Sequence, residues 1–204
     1  MLPTLNQYCQ SLINDFSSIS DERKSRLEQI SNYISEKSKA GKTANLIYIC
    51  THNSRRSQMG QVWAQAAANY YNVRNVFSYS GGTEVTAFHK NAANALIRSG
   101  FHIERPEDGT NPIFYVTYDD ASFPGMCFSK KYDHVDNPPN NFLAVLTCSE
   151  ADEACPNIHN ADLRVSTTYE DPKAFDGTDM QDAKYDERCK QIALETLYVF
   201  SKVK

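Results

Sequence analysis

A short apolar run, Leu46-Ile47-Tyr48-Ile49, leads directly into Cys50-Thr51-His52-Asn53-Ser54-Arg55-Arg56-Ser57, and a segment with helical spacing follows. This order constrains the fold more than any other feature of the chain. The run reads as a buried strand, and Met59, Val62, Trp63 and Ala66 are spaced for the buried face of a helix that begins near Ser57. The five residues between Cys50 and Arg56 are enough to loop around a tetrahedral oxyanion. Their amides can point inward, and the helix N-terminus adds its positive end. Such a field favours a sulfur anion, which makes Cys50 a candidate nucleophile near neutral pH. Arg56 can grip two oxygens with its planar fork, and Ser57 can donate a hydroxyl proton to the sulfur. Thr51, His52, Asn53, Ser54, Arg55, Arg56 and Ser57 are therefore the expected oxyanion-binding residues. The plainer alternative is a core cysteine at a strand end with an amphipathic helix behind it. Two arginines at a helix start oppose that reading, because cations are unfavourable there unless an anion is present.

The rest of the chain bounds the setting. Its 204 residues are 41% hydrophobic and 23% charged, which suits one globular domain with a sizeable core and room for an extension. A formal net charge of -4 gives no general attraction to nucleic acid or to a membrane surface, so neither is an expected partner. No apolar run approaches membrane-spanning length, and Met1-Leu2-Pro3-Thr4-Leu5-Asn6-Gln7 does not read as a secretory signal, so the expected location is the cytoplasm. In that reducing setting Cys9, Cys50, Cys127, Cys148, Cys155 and Cys189 are thiols unless chemistry uses them. No Cys-x-x-Cys pair occurs, and no metal site is expected.

Periodicity predicts two helices before residue 40. Leu5, Tyr8, Cys9, Leu12, Ile13 and Phe16 recur on one face; a second helix starts near Ser20 and carries Leu27, Ile30, Tyr33 and Ile34, with stop signals at Lys39, Gly41 and Lys42. This amphipathic hairpin, residues 1–43, is expected to pack on the main domain rather than to serve a partner. From Ala44 to Lys204, strands are expected at Leu46–Cys50, Val76–Ser80, Ile113–Thr117 and Phe142–Cys148, and helices at Ser57 to about Tyr71, Asn91–Ser99 and Tyr185–Val203. Such alternation implies an α/β fold, a mostly parallel sheet with helices on both faces, whose ligands bind at the carboxyl ends of strands. Cys50 and Cys148 both fall at such ends. Residues 118–141, with Pro124-Gly125 and Asn137-Pro138-Pro139-Asn140-Asn141, read as an inserted loop or hairpin over that rim.

Two further segments carry chemistry. Cys148 and Cys155 are seven residues apart, close to two helical turns, so a helix would hold both thiols on one face but too far apart for a disulfide. Joining them requires the segment to unwind. Two ordinary buried cysteines are the alternative; beside a nucleophilic Cys50, three thiols that can meet allow a relay of disulfide exchange. In Tyr169-Glu170-Asp171-Pro172, Asp before Pro is a common turn, yet an Asp on a turn near the rim also suits a general acid for a departing oxygen. Glu170 is its rival. His52 lies inside the anion loop, where it is expected to tune the loop rather than transfer the proton.

These residues resemble a known family. The loop from Cys50 to Met59 is similar to the active-site loop of low-molecular-weight protein tyrosine phosphatases, and more closely to that of the thioredoxin-coupled arsenate reductases on the same fold, of the form Cys-Thr-x-Asn-Ser-x-Arg-Ser-Gln-Met. Gln58 stands where the phosphatases usually have Pro. Thr147-Cys148-Ser149-Glu150-Ala151-Asp152 through Cys155-Pro156 resembles the redox segment of those reductases, and Asp171-Pro172 matches the acid-bearing Asp-Pro of both groups. The resemblance spans roughly Ala44 to Lys204, leaving out the hairpin and residues 118–141. His52 replaces a frequent Gly, Arg55 a frequent Cys, and Gln61 a frequent Glu; Lys173-Ala174-Phe175 follows Asp171-Pro172 in place of paired tyrosines. The resemblance implies arsenate reduction with Cys50, Arg56, Asp171, Cys148 and Cys155 as catalytic residues, no cofactor, a small oxyanion as substrate and a thioredoxin-type reductant as partner. A phosphatase acting through a phosphocysteine, or an oxyanion-binding module, are the alternatives.

Overall fold

The computed structural model describes residues 1–105, 108–154 and 158–204, without the side chains of residues 152–154. Among these residues, helices α1 (Pro3–Ile13) and α2 (Asp21–Lys39) precede β1 (Ala44–Cys50), α3 (Arg56–Tyr70), β2 (Val76–Gly82) and α4 (Lys90–Arg98). Then come β3 (His102–Glu104), β4 (Phe114–Thr117), β5 (Gly125–Cys127), β6 (Phe142–Leu146), α5 (Ser149–Ala154), β7 (Ala161–Ser166) and α6 (Gln181–Ser201). No helix among them is long and apolar enough to cross a membrane.

The main sheet has four parallel strands in the order β2-β1-β6-β7. Strand β1 lies in the middle and is buried on both faces, which explains its unbroken apolar run. Its Leu46 and Tyr48 join the large core under α1, α2, α3, α4 and α6. Ile47 and Ile49 point to the opposite face, where Phe142, Ala144, Leu146, Cys148, Ala151 of α5 and Ile158 make a smaller core. The fold is thus α/β, with a parallel sheet flanked by helices.

Local chemistry explains the helix ends. Ser20 caps α2 by accepting from the Arg23 amide at 3.2 Å, with Asp21 and Glu22 in the first turn. Gly41 adopts φ +64° just past the C-terminus of α2, a left-handed position that suits glycine. Both N-terminal helices pack on α6: Leu5, Cys9, Leu12, Leu27, Ile30 and Ile34 are buried in the large core.

Two strands differ from the expectation. The segment expected at Ile113–Thr117 does form β4, but in a separate antiparallel sheet, β3-β4-β5, within which β4 and β5 are a hairpin. The fourth strand of the main sheet is instead β7, Ala161–Ser166. It is an edge strand with only Val165 fully buried, so it lacks the apolar run that marks an interior strand. Downstream of the hairpin, residues 128–132 reach the rim of the main sheet, where Gly82 N–H donates to the Lys130 carbonyl at 2.9 Å and Tyr132 N–H to the Gly82 carbonyl at 3.0 Å.

Candidate active site

The residues from Thr51 to Arg55 leave β1 at its carboxyl end and enter α3 at Arg56. Their carbonyls are all engaged. The Thr51 carbonyl accepts from Glu84 N–H (2.8 Å), the His52 carbonyl from Thr86 Oγ1 (3.0 Å) and Ser129 Oγ (2.9 Å), the Asn53 carbonyl from Gln58 Nε2 (3.1 Å), and the Ser54 carbonyl from His89 N–H (2.9 Å). In a trans peptide the next amide points opposite to the carbonyl. Drawing four carbonyls toward the surrounding frame therefore turns the amides of His52, Asn53, Ser54 and Arg55 the other way, the arrangement of an anion nest. Asn53 takes φ +46°, a left-handed turn that Asn tolerates better than most residues.

A hydrogen-bond chain sets the proton on Ser57. Asn53 Oδ1 accepts from Lys130 N–H (2.9 Å) and Gln58 Nε2 (3.2 Å), so its amide nitrogen faces Ser57 and donates to Ser57 Oγ at 2.9 Å. The hydroxyl proton is left to point at Cys50 Sγ, 3.0 Å away. Ser57 is thus placed to donate to the Cys50 sulfur, and Asn53 is the residue that orients it. Gln58 is fully buried and also donates to the Phe128 carbonyl at 2.8 Å, tying the loop to the segment after β5.

Arg56 is buried at the first position of α3. Its Nη1 donates to the Tyr169 carbonyl (2.8 Å) and its Nη2 to Asp171 Oδ2 (2.7 Å), while Nε is buried and finds no hydrogen-bond partner among the described residues. An unsatisfied buried donor on a charged group is costly unless a ligand meets it. Asp171 caps a short 3-10 turn, Pro172–Phe175, by accepting from Lys173 N–H at 3.0 Å through Oδ1. Cys50, His52, Ser54, Arg55, Arg56 and Asp171 line one small cleft. Tyr169, whose carbonyl holds Arg56, is itself fixed by its hydroxyl on Glu195 (2.7 Å), and Glu195 takes two bonds from Arg23 of α2 (3.1 and 2.8 Å).

The remaining sequence candidates fall as follows. Thr51 Oγ1 lies 3.5 Å from Cys148 Sγ, which is buried just before α5 and also accepts from Ala151 N–H at 3.4 Å. Cys148 and Cys50 belong to the same small core. Cys155 lies outside the described residues. His52 is part-exposed at the mouth of the cleft, with Nε2 3.4 Å from Glu84. The Arg55 guanidinium leaves the loop, donating to Tyr185 OH (2.5 Å) and Asp176 Oδ2 (2.7 Å). Glu170 faces Arg188 at 3.5 Å rather than Arg56. Asp171 and Asp176 thus answer the two arginines at the start of α3. The sequence reading missed Asp176, Tyr185 and His89; a second buried arginine in the loop was the signal that a second carboxylate was needed. Among the described residues no group of His, Cys, Asp and Glu is arranged to hold a metal ion.

Gly82 abuts the loop. A Cβ there would lie 2.6 Å from the Thr51 carbonyl oxygen and 2.8 Å from the Asn53 nitrogen, both backbone atoms that cannot swing aside. Gly82→Ala is therefore expected to distort the nest and weaken binding of inorganic phosphate at least about tenfold, read by calorimetry, at a cost of roughly 1–3 kcal/mol in stability. Unchanged phosphate binding would show that the nest does not depend on this approach.

No family model and no curated protein sequence matches the chain. Solved structures do. An arsenate reductase in the phosphate-binding state covers 79% of this chain and 100% of its own, at 13% identity and TM-score 0.52. A low-molecular-weight phosphotyrosine phosphatase from Vibrio cholerae O395 covers 77% of this chain and 94% of its own, at 14% identity and TM-score 0.50. A low-molecular-weight protein tyrosine phosphatase from T. tengcongensis covers 78% and 99%, at 14% identity and TM-score 0.50. The chain therefore has the fold shared by the low-molecular-weight protein tyrosine phosphatases and an arsenate reductase.

Proposed function

We propose that the chain reduces arsenate through thiols. The Cys50 thiolate attacks arsenate held by the nest and by Arg56; a sulfur–arsenic bond forms, and the departing oxygen takes a proton from Asp171 and leaves as water. The Cys148 thiolate then attacks Cys50 sulfur. A disulfide forms, the sulfur–arsenic bond breaks, and its electron pair stays on arsenic, which leaves as arsenite. Cys155 attacks Cys148 in turn, releasing the Cys50 thiolate, and a thioredoxin-type dithiol reduces the Cys148–Cys155 disulfide. No cofactor enters, because the electrons come from thiols.

The observation that carries this reading over a phosphatase is the position of Cys148. Cys50, Arg56 and Asp171 would serve either reaction, whereas a phosphocysteine needs only water and gives no task to a second thiol at the loop. Cys148 meets the loop through Thr51, and its proton affinity is linked to Arg56 and Cys50. The fold is shared by an arsenate reductase and by phosphatases, so the choice between the two readings rests on Cys148. The test is arsenate turnover against hydrolysis of an aryl phosphate, with a thioredoxin system present, and mass mapping of disulfides trapped after one turnover. Arsenite release with a Cys50–Cys148 and then a Cys148–Cys155 disulfide is expected. Phosphate-ester hydrolysis without arsenate turnover overturns the reading in favour of a phosphatase.

The same step has a pH signature. Burial pushes the Cys148 thiol up; the Thr51 hydroxyl, the Ala151 amide and the Arg56 charge oppose that shift, and Cys50 adds to it. A raised value leaves little Cys148 thiolate at neutral pH and more as pH rises. Formation of the Cys50–Cys148 disulfide after arsenate addition should therefore accelerate through and beyond about pH 8.5, the ordinary thiol value. Quenched-flow mass mapping reads the rate, and a rate that is flat or falls over that range contradicts the assignment.

A further inference from the structure

Arg55 and Arg56 are consecutive in one loop but turn to different partners. Arg56 Nη2 holds Asp171 at one end of the 3-10 turn Pro172–Phe175, and Arg55 Nη2 holds Asp176 at the other, both at 2.7 Å. We propose that Arg55, Asp176 and Tyr185 are positioning residues that clamp the acid-bearing turn onto the oxyanion loop, leaving Arg56 to the anion. This rests on the reading of Asp171 as the general acid.

The clamp is closed on itself. Tyr185 OH accepts from Arg55 Nε at 2.5 Å and donates to Asp176 Oδ1 at 2.6 Å, so guanidinium, phenol and carboxylate form a ring of three hydrogen bonds. Tyr185 is fully buried on α6 and Arg55 is buried in the loop, so the ring's two anchors sit on packed elements. Asn91 Nδ2 of α4 adds a bond to Asp176 Oδ1 at 3.3 Å. His89 stacks on the Tyr185 ring at 5.9 Å while its amide holds the Ser54 carbonyl, so the loop and the clamp share a wall. The charges agree with a permanent ion pair. Burial pushes Asp176 up, but the Tyr185 hydroxyl and the Arg55 charge outweigh it and hold the carboxyl below its usual range. His89 is held low by burial and by Arg55, which favours its neutral form beside the pair.

Two fixed ends determine where the turn can go. Asp171 must release Arg56 Nη2 when an oxyanion claims that guanidinium, and it must still stay close enough to protonate the departing oxygen. With Asp176 tethered five residues on, Asp171 can swing but not leave. A loop arginine that bound substrate directly would be a ligand; Arg55 instead spends its fork on Asp176 and Tyr185.

Asp176→Asn removes the charge and keeps the shape. Its effect is read by kcat/KM on 4-nitrophenyl phosphate, which departs without help, and on phenyl phosphate, which needs a proton. The expected result is a loss of at least about tenfold on phenyl phosphate, within about threefold on 4-nitrophenyl phosphate, and an unchanged inhibition constant for inorganic phosphate. Arg55→Lys, which keeps charge without the fork, is expected to fall between wild type and Asp176→Asn. Equal losses on both esters with weakened phosphate inhibition would make Arg55 an anion ligand and overturn the proposal. Hydrogen exchange separates this from a failure of the acid assignment. If Asp171→Asn shows no split between the esters, Asp171 is not the acid. The clamp then still requires the amides of Lys173, Asp176 and Thr178 to exchange at least about tenfold faster in Asp176→Asn, and unchanged exchange there overturns it.

Discussion

Cys148→Ser is expected to abolish multiple turnover of arsenate while hydrolysis of an aryl phosphate stays within about threefold of wild type. The reason is the division of labour at the rim. On the proposed mechanism, addition of the oxyanion to Cys50 needs the nest, Arg56 and Asp171, and the substitution meets the loop only at Thr51. Resolution of arsenylated Cys50 needs a second sulfur, and Cys148 is the thiol placed against the loop, with Thr51 Oγ1 3.5 Å from its sulfur. A serine hydroxyl fits the same buried space and can keep a bond to Thr51, but it cannot form a disulfide or leave electrons on arsenic. Arsenate turnover should fall by at least about 10³-fold, as for loss of a residue that acts within a covalent relay. Thioredoxin-coupled turnover and an aryl-phosphate assay on one preparation decide it. Retention of more than a tenth of the arsenate rate would remove Cys148 from the mechanism.

Cys50→Ser has the larger effect because it removes the attacking atom itself. Loss of at least about 10⁴-fold is expected in both arsenate turnover and aryl-phosphate hydrolysis. Inorganic phosphate should still bind, since four peptide planes, Arg56 and Ser57 remain in place. Calorimetry on the variant with phosphate checks this. Surviving activity would move the nucleophile elsewhere; lost phosphate binding would mean that the sulfur, rather than the surrounding bonds, holds the loop in shape.

The strand, loop and helix around Cys50 were legible in the sequence because their signals are local. An apolar run, a cysteine, a spacing of five and two arginines before a helical pattern lie within about a dozen residues, and the structure has β1, the loop and α3 there. The N-terminal helices were legible for the same reason, from Ser20 as a cap and Gly41 as a stop. Strand β7 was not, because an edge strand with Asp162 and Arg164 carries little apolar pattern. The clamp was hidden in a different way. His89, Asp176 and Tyr185 come from separate segments and make no motif; only packing brings them to Arg55. An inserted loop or hairpin was expected only from residue 118, whereas β4 itself belongs to the small antiparallel sheet; its partner β3, three residues with none fully buried, left no periodicity to read.

The loop's four engaged carbonyls decide what kind of receptor it is. Residues whose backbone is already fixed do not have to be ordered when a ligand arrives, and ordering costs roughly 1–2 kcal/mol per residue in chain entropy. That cost is met during folding, by Glu84, Thr86 and His89 of the β2–α4 connection, by Ser129 after β5, and by Gln58 of α3. As the proposed receptor the loop is therefore stiff, and stiffness makes it a gauge: it is expected to discriminate by the radius and oxygen geometry of the anion rather than by closing around whatever enters.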